Sequence, residues 1–250
     1  MKINYGIVQG RLTKSGELQK FPQKNWEQEF IFAKKIGLSF IELLVEREHN
    51  NNNPFWSKKG LQKYKNLISE NSLINKSVCL DYIINHSLVE NNSFYNLRYL
   101  ENFVDRCVKF KCSLIVMPFL EENNLSENNL EKYYSILIDL SKQIENYDIQ
   151  ICIETLLDAK ILKKFIQSIN KKNIKCVYDT GNRAILNNNL IFEINHLKDI
   201  IGHVHIKDKN IKGDNVMLGS GMVNFEDAFK SFQNIGYSGS DVFETTRGTD

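Results

Sequence analysis

The sequence predicts an α/β chain closed into a single (β/α)8 barrel, the TIM-barrel architecture, over residues 1–250. Three observations predict it. Short apolar, β-branched runs alternate with longer segments of helical period from end to end, and strand, crossover helix, strand repeated this way requires a parallel sheet. A length of 250 residues is the usual size of one such barrel. Four strand-like runs in the C-terminal half each end in a metal-ligand residue type: ICIE at Glu154, CVYD at Asp179, HVH at His205 and SDVFE at Glu244. For four such ends to act together they must converge on an axis. A doubly wound open sheet offers a single switch point instead, which favours the barrel.

The strands are expected near 3–8, 39–44, 76–81, 113–117, 149–154, 174–178, 201–206 and 240–244. Helices are expected near 25–36, 58–71, 94–110, 128–146, 158–170, 189–197 and 224–235. In the third helical segment Phe94, Leu97, Leu100, Val104 and Val108 recur at three- and four-residue steps, a stripe expected to face the sheet. Asn224 is placed to cap the last helix, with Glu226 and Asp227 favoured in its first turn. A complete barrel covers the groove between its eighth and first strands with an eighth helix. Residues 245–250 leave no room for one, so that helix is expected to be missing or truncated, with a partner in a homodimer one candidate cover.

Composition narrows the function classes. A net charge of +2 gives no basic field of the size that holds nucleic acid by counterion release, so no nucleic-acid partner is expected. No apolar stretch approaches a membrane span, and Met1-Lys2 runs directly into the first strand without a leader-like apolar region, so a cytoplasmic chain is expected. The five cysteines form no CxxC pair and read as buried reduced thiols. Asn clusters such as 50–53 and 187–189 read as solvated loop.

The residues that carry chemistry lie on the rim formed by the strand C-termini, where barrel active sites sit. Glu154, Asp179, His205 and Glu244 are the candidate ligands of one divalent metal, with Mn, Mg, Co and Zn all compatible with a His-plus-carboxylate set. His203 alternates with His205, so both point to one face of the strand. His205 lies nearer the rim and is taken as the ligand, leaving His203 as its partner or a core histidine near the substrate. Around them stand further candidate substrate-binding residues. Arg11 and Arg247 are suited to a phosphate or carboxylate. Lys207 and Asp208 follow the ligand histidine. Glu42 ends the second strand as a hydroxyl acceptor, and Asp81 closes the third. Trp56, in Asn53-Pro54-Phe55-Trp56, reads as an aromatic lid over a sugar face.

Several motifs resemble the xylose-isomerase-like TIM barrels, the sugar-phosphate isomerase/epimerase superfamily. The strand Gly202-His203-Val204-His205-Ile206-Lys207-Asp208 resembles their HxHxKD strand. Gly6-Ile7-Val8-Gln9-Gly10-Arg11-Leu12, Phe40-Ile41-Glu42, Asp179-Thr180-Gly181-Asn182, Leu218-Gly219-Ser220-Gly221 and Gly236-Tyr237-Ser238-Gly239 match in order and spacing. The resemblance implies one divalent metal on Glu154, Asp179, His205 and Glu244. It also implies that Glu154 and Glu244 face opposite sides of the substrate as catalytic acid and base. The expected function is therefore a metal-dependent sugar or sugar-phosphate isomerase or epimerase working through an enediolate. One departure stands out: ketose 3-epimerases of the group carry a histidine where this chain has Asn182, which can bind a hydroxyl but cannot titrate. A keto-polyol dehydratase shares the same first step. An endonuclease IV-like phosphodiesterase would need more histidines than the five present. A degenerate sugar-binding barrel is the remaining alternative.

Overall fold

The structure, a computed structural model, describes residues 3–13, 18–90, 93–186 and 189–246. Its strands are β1 (Asn4–Val8), β2 (Phe40–Val45), β3 (Ser77–Leu80), β4 (Leu114–Pro118), β5 (Gln150–Glu154), β6 (Ile174–Asp179), β7 (Ile201–Ile206), β8 (Asp208–Lys209), β9 (Asn215–Val216) and β10 (Ser240–Phe243). Eight of them close into a barrel in the order β1-β10-β7-β6-β5-β4-β3-β2. Every neighbouring pair in that ring is parallel. The antiparallel pair β8 and β9 forms a small hairpin in the loop after β7.

The helices are α1 (Gln28–Lys35), α2 (Lys58–Glu70), α3 (Tyr82–Asn85), α4 (Ser93–Phe110), α5 (Leu130–Gln143), α6 (Ala159–Ile169), α7 (Thr180–Ala184), α8 (Leu190–Leu197) and α9 (Phe225–Asn234). The seven expected helical segments appear as α1, α2, α4, α5, α6, α8 and α9. The one-turn helices α3 and α7 were not anticipated, because a single turn carries no period to read. Asn224 caps α9, its side chain accepting from the Asp227 amide. Four of the five expected stripe residues on α4 face the core, Leu100 and Val104 buried and Leu97 and Val108 packed against it, joined by Phe103, Cys107 and Phe110, whereas Phe94 is 64% exposed. Phe94 fits the period but stands in the first turn of the helix, where it stays exposed.

Because strand side chains alternate, each strand feeds two cores. Outward residues join the large layer between barrel and helices, including Ile115, Met117, Ile151, Ile153, Val204 and Ile206. Inward ones fill the lumen, with Leu44, Cys79, Leu114, Val116, Cys152 and Val177 in one cluster and Val8, Phe40 and Val242 in another. All five cysteines are buried and free. On β7 the alternation is reset by a bulge: Cys176 pairs with Ile201 but Val177 with His203, leaving Gly202 as the extra residue. A Cβ on Gly202 would lie 2.7 Å from Cys152 Sγ, so only glycine fits. The bulge lets Ile201 face the helices while His203 and His205 face the lumen.

Among the described residues no helix follows β10. Tyr5 and Phe243, outward on β1 and β10, stack at 6.0 Å between ring centroids, and Tyr5 stays partly exposed. No helix among the described residues is long and apolar enough to cross a membrane.

Candidate functional site

The C-terminal rim gathers buried charge around a cavity of about 220 Å³, lined among others by Glu42, Asp81, Glu154, Asn182, His205, Lys207 and Glu244. Register brings these residues level: Asp179 pairs with His205 and Val242 with His205, so Glu244 stands two residues further along its own strand direction. One donor atom from each of Glu154, Asp179, His205 and Glu244 lies within 4.8 Å of the others, and all four residues are buried. Two ligands bound to one ion at ~2.0–2.6 Å lie at most about 5 Å apart, so this set can hold a divalent cation. The donor chemistry suits one as well, with three carboxylates and one imidazole.

Orientation comes from below. Glu42 is fully buried between two imidazoles, its Oε2 3.0 Å from His203 Nε2 and its Oε1 3.1 Å from His205 Nε2. His203 Nδ1 in turn meets Ser240 Oγ at 2.8 Å. Glu42 at Nε2 of His205 turns the ring so that Nδ1 faces the rim carboxylates; a cation held there would be bound through Nδ1, with the proton kept on Nε2. Nδ1 lies 2.9 Å from Glu244 Oε2 and 3.6 Å from Glu154 Oε2.

Each rim glutamate is also fixed by an amide. Asn182 Nδ2 donates to Glu154 Oε1 at 2.5 Å, and the Asn182 backbone N–H donates to Asp179 Oδ1 at 2.7 Å. Gln19 Nε2 donates to Glu244 Oε1 at 3.1 Å. Lys207 Nζ sits between Asp179 Oδ2 (3.2 Å) and Glu244 Oε1 (2.8 Å). The lysine reaches them because Gly181, opening α7, has no side chain. A Cβ there would lie 2.9 Å from Lys207 Cγ and 3.2 Å from its backbone carbon.

Electrostatics pulls these groups apart. Burial and the neighbouring Asp179 push Glu154 up to about 8. Burial, reinforced by Glu244, raises Asp81 to about 6. Burial would also raise Glu42, but His205 and His203 outweigh it and bring it down to about 2. Glu244 is likewise lowered against its burial, by Lys207 and His205. Burial would lower His205, yet Glu42 and Glu244 hold it well above the ordinary histidine value. A buried centre this rich in carboxylate is one that a cation would neutralise.

Residues 30–249 match the family described as xylose isomerase-like TIM barrel. The chain belongs to that family. This xylose isomerase-like barrel is similar to the L-ribulose-5-phosphate 3-epimerase UlaE of Escherichia coli (strain SMS-3-5 / SECEC), 23% identical over an alignment of 241 positions that covers 88% of this chain and 81% of the relative. The fold is shared with a solved D-allulose 3-epimerase from Methylomonas sp. in complex with D-allulose. That structure has a TM-score of 0.76 at 17% identity, covering 97% of this chain and 84% of the other. It is shared too with a xylose isomerase-like TIM barrel protein from Mycobacterium smegmatis in complex with magnesium, TM-score 0.72 at 14% identity, covering 99% of this chain and 91% of the other.

Not every expected residue of this family member reaches the cavity. Trp56 does not line it: the 3-10 turn Pro54–Trp56 packs the indole on Tyr99 at 4.9 Å and under the Arg106 guanidinium at 5.7 Å, so it is a loop anchor rather than a lid. His203 lies beneath the cavity as the partner of Glu42, which lines the cavity with Oε2 3.0 Å from His203 Nε2 and with Oε1, 3.1 Å from His205 Nε2, making no hydrogen bond. Arg11 is turned aside, donating through Nε to the Thr245 carbonyl and through NH2 to Gln19 Oε1, each at 2.8 Å; it positions Gln19. Arg247 lies outside the described residues.

Asp208 is fully buried and accepts four backbone N–H groups, from Lys209, Gly219, Gly221 and Val223, at 2.8–3.1 Å. It organises the loop after β7 and does not face the cavity. Asp208→Ala is expected to cost about 1–3 kcal/mol, since those amides lose their acceptor. Amide hydrogen exchange at Gly219, Gly221 and Val223 should speed up on the order of tenfold or more, which mass spectrometry would detect.

Five polar lining residues were not anticipated: Gln19, Arg47, Glu121, Lys209 and Asn215. Arg47 and Glu121 stand two and three residues past the ends of β2 and β4, so position alone could have flagged them. They meet bidentately across the mouth at 2.7 and 2.9 Å. Gln19 lies eleven residues past β1 and has a left-handed backbone (φ 56°), with no pattern to reveal it.

Proposed function

We propose that this protein is a divalent-metal-dependent sugar or sugar-phosphate isomerase or epimerase that moves a proton on a carbon next to a carbonyl. The observation that carries the reading is the ring of buried donors from Glu154, Asp179, His205 and Glu244, with a glutamate at either end. The family membership and the epimerase relatives support the same class.

These four residues would hold the cation. Bound there, it supplies Lewis acidity to the substrate carbonyl, and Mn, Mg, Co and Zn are all compatible with the donors. Glu154 ends β5 and Glu244 follows β10, with β6 and β7 between them in the ring, so the two carboxylates enter the cavity from different sides. One removes the carbon-bound proton and leaves an enediolate; the other returns a proton. Return to the opposite face of the same carbon gives epimerisation, and return to the neighbouring carbon gives isomerisation. Asn182 holds Glu154 Oε1 and Gln19 holds Glu244 Oε1, so both carboxylates are fixed in orientation toward the cavity. Asp81 Oδ2, buried on the cavity wall without a hydrogen bond, is a ready acceptor for a sugar hydroxyl.

The direct test is solvent exchange. Protein loaded with Mn, Mg, Co or Zn is incubated in deuterated water with D-allulose, D-fructose and L-ribulose 5-phosphate, and the proton NMR signals next to the carbonyl are followed. Loss of one such signal with any of the sugars is expected. Retention of all of them under every metal would overturn the reading.

Glu42→Gln tests how His205 is oriented. Glutamine has one acceptor and one donor end, so it cannot accept from both imidazoles. One histidine must change tautomer, and metal affinity is expected to fall about 10–100-fold, measured by competition with a chelating dye.

A further inference from the structure

Beside the rim cavity lies a second, larger chamber of about 690 Å³, built by the loops after β1 and β2. Gln19 and Arg47 line both spaces, so the chamber opens off the candidate site rather than elsewhere on the barrel. Gln19 is the dividing group. It holds Glu244 on one side and faces the chamber on the other, in a backbone conformation that a non-glycine residue adopts only when its surroundings hold it there.

The chamber wall has a definite chemistry. Gln19, Gln23, Asn50, Asn51 and Asn52 present side-chain amides, and Phe21 adds an aromatic surface. Asn50 is locked in place, donating to Glu46 Oε1 at 2.6 Å and accepting from the Asn52 amide at 2.9 Å. The side chains of Gln23 and Asn52 are exposed. An amide offers both a donor and an acceptor, which is what a sugar hydroxyl requires on its two sides. The wall is also balanced in charge, with Lys20 and Arg47 against Glu46 and Glu48, and Arg47 further engaged by Glu121. A phosphate would need a cationic excess, and none stands there among the described residues.

We propose that this chamber is a subsite for a second, uncharged sugar unit, so that the substrate is a ketose carrying a glycosidic substituent. The inference rests on the proposed isomerase or epimerase reading for the reacting ring and adds the class of its substrate. The reacting ketose occupies the rim cavity between Glu154 and Glu244. The glycosyl unit passes Gln19 and Arg47 and lies along Gln23 and Asn52.

The experiment compares D-fructose with its glucosyl derivatives maltulose (1→4), leucrose (1→5) and isomaltulose (1→6), using metal-loaded protein in deuterated water. Wild type is set beside Gln23→Ala, Asn52→Ala and the space-filling Asn52→Trp, none of which touches the proton-transfer groups. Binding of each sugar is measured in parallel by saturation-transfer NMR. For at least one disaccharide the wild-type KM is expected to lie below that of fructose. Each alanine variant should raise that KM about three- to tenfold, the loss of one hydrogen bond, and leave fructose within twofold. Asn52→Trp should abolish disaccharide turnover and spare fructose. Fructose exchange with no disaccharide preference, or with disaccharide KM values unmoved by all three variants, would overturn the subsite and leave the reaction class standing. No exchange with any sugar would instead remove the reaction class. The binding arm then decides the subsite on its own: disaccharide binding lost in Asn52→Trp supports it, and binding that is absent or unchanged ends it.

Discussion

Protein purified without chelator is expected to carry about one divalent ion per chain, and Asp179→Asn and His205→Ala are each expected to carry none. The two variants fail for different reasons. Asparagine keeps the shape of Asp179 and its acceptor toward the Asn182 amide, but removes the charge at Oδ2, a buried oxygen with no hydrogen bond that lies 3.2 Å from Lys207 Nζ. Alanine at 205 removes the donor outright and also strands Glu42, whose depressed pKa depends on the two imidazoles. A stranded buried charge destabilises by about 3–5 kcal/mol, so His205→Ala should melt well below wild type even without metal. Asp179→Asn should fold normally and is the cleaner reading. Adding metal at a hundred times its dissociation constant stabilises wild type by about 2.7 kcal/mol. Calorimetry should show that increment vanish in both variants, while elemental analysis counts the ions. An Asp179→Asn protein that keeps a full equivalent of metal would remove Asp179 from the ligand set.

Strand ends were the most legible part of this protein, and the reason is physical. A buried parallel strand is a short apolar run, and a charged residue closing such a run can only be at the rim or capped. Glu154, Asp179, His205 and Glu244 each close one, and the structure brings all four to one place. Loop residues were much less legible. Arg47 and Glu121 find each other across the mouth from loops 74 residues apart, and no local pattern encodes that pairing. Gln19 reaches Glu244 through a loop without period, and Asp208 looks like a site residue until four backbone amides are seen to occupy it. Trp56 was misplaced for a related reason. An aromatic after a strand can cover a ligand or anchor its own loop, and Tyr99 and Arg106 on α4 decide between them.

Glu154→Gln and Glu244→Gln should each suppress exchange of the carbon-bound proton of one epimer by about 10²–10⁴-fold, the range of a positioned acid or base. Glutamine keeps the volume and one carbonyl oxygen but removes a ligand charge, so the comparison is made at saturating metal with the ions counted in each variant, and among metal-loaded protein the loss is expected in kcat. The two variants should nevertheless differ. Glu154 is the glutamate that burial and Asp179 push up to about 8, whereas Glu244 is lowered by Lys207 and His205. Those directions belong to the metal-free site, and a bound cation would lower both carboxylates. Their separate faces can be resolved by running the reaction from each epimer in turn. If each glutamate serves one face, losing Glu154 blocks proton removal from one epimer and losing Glu244 blocks it from the other, so single-turnover exchange survives in the opposite direction for each variant. Exchange lost equally from both epimers in one variant and untouched in the other would assign both proton transfers to a single glutamate. Exchange untouched in both would take the pair out of catalysis and leave them as ligands alone.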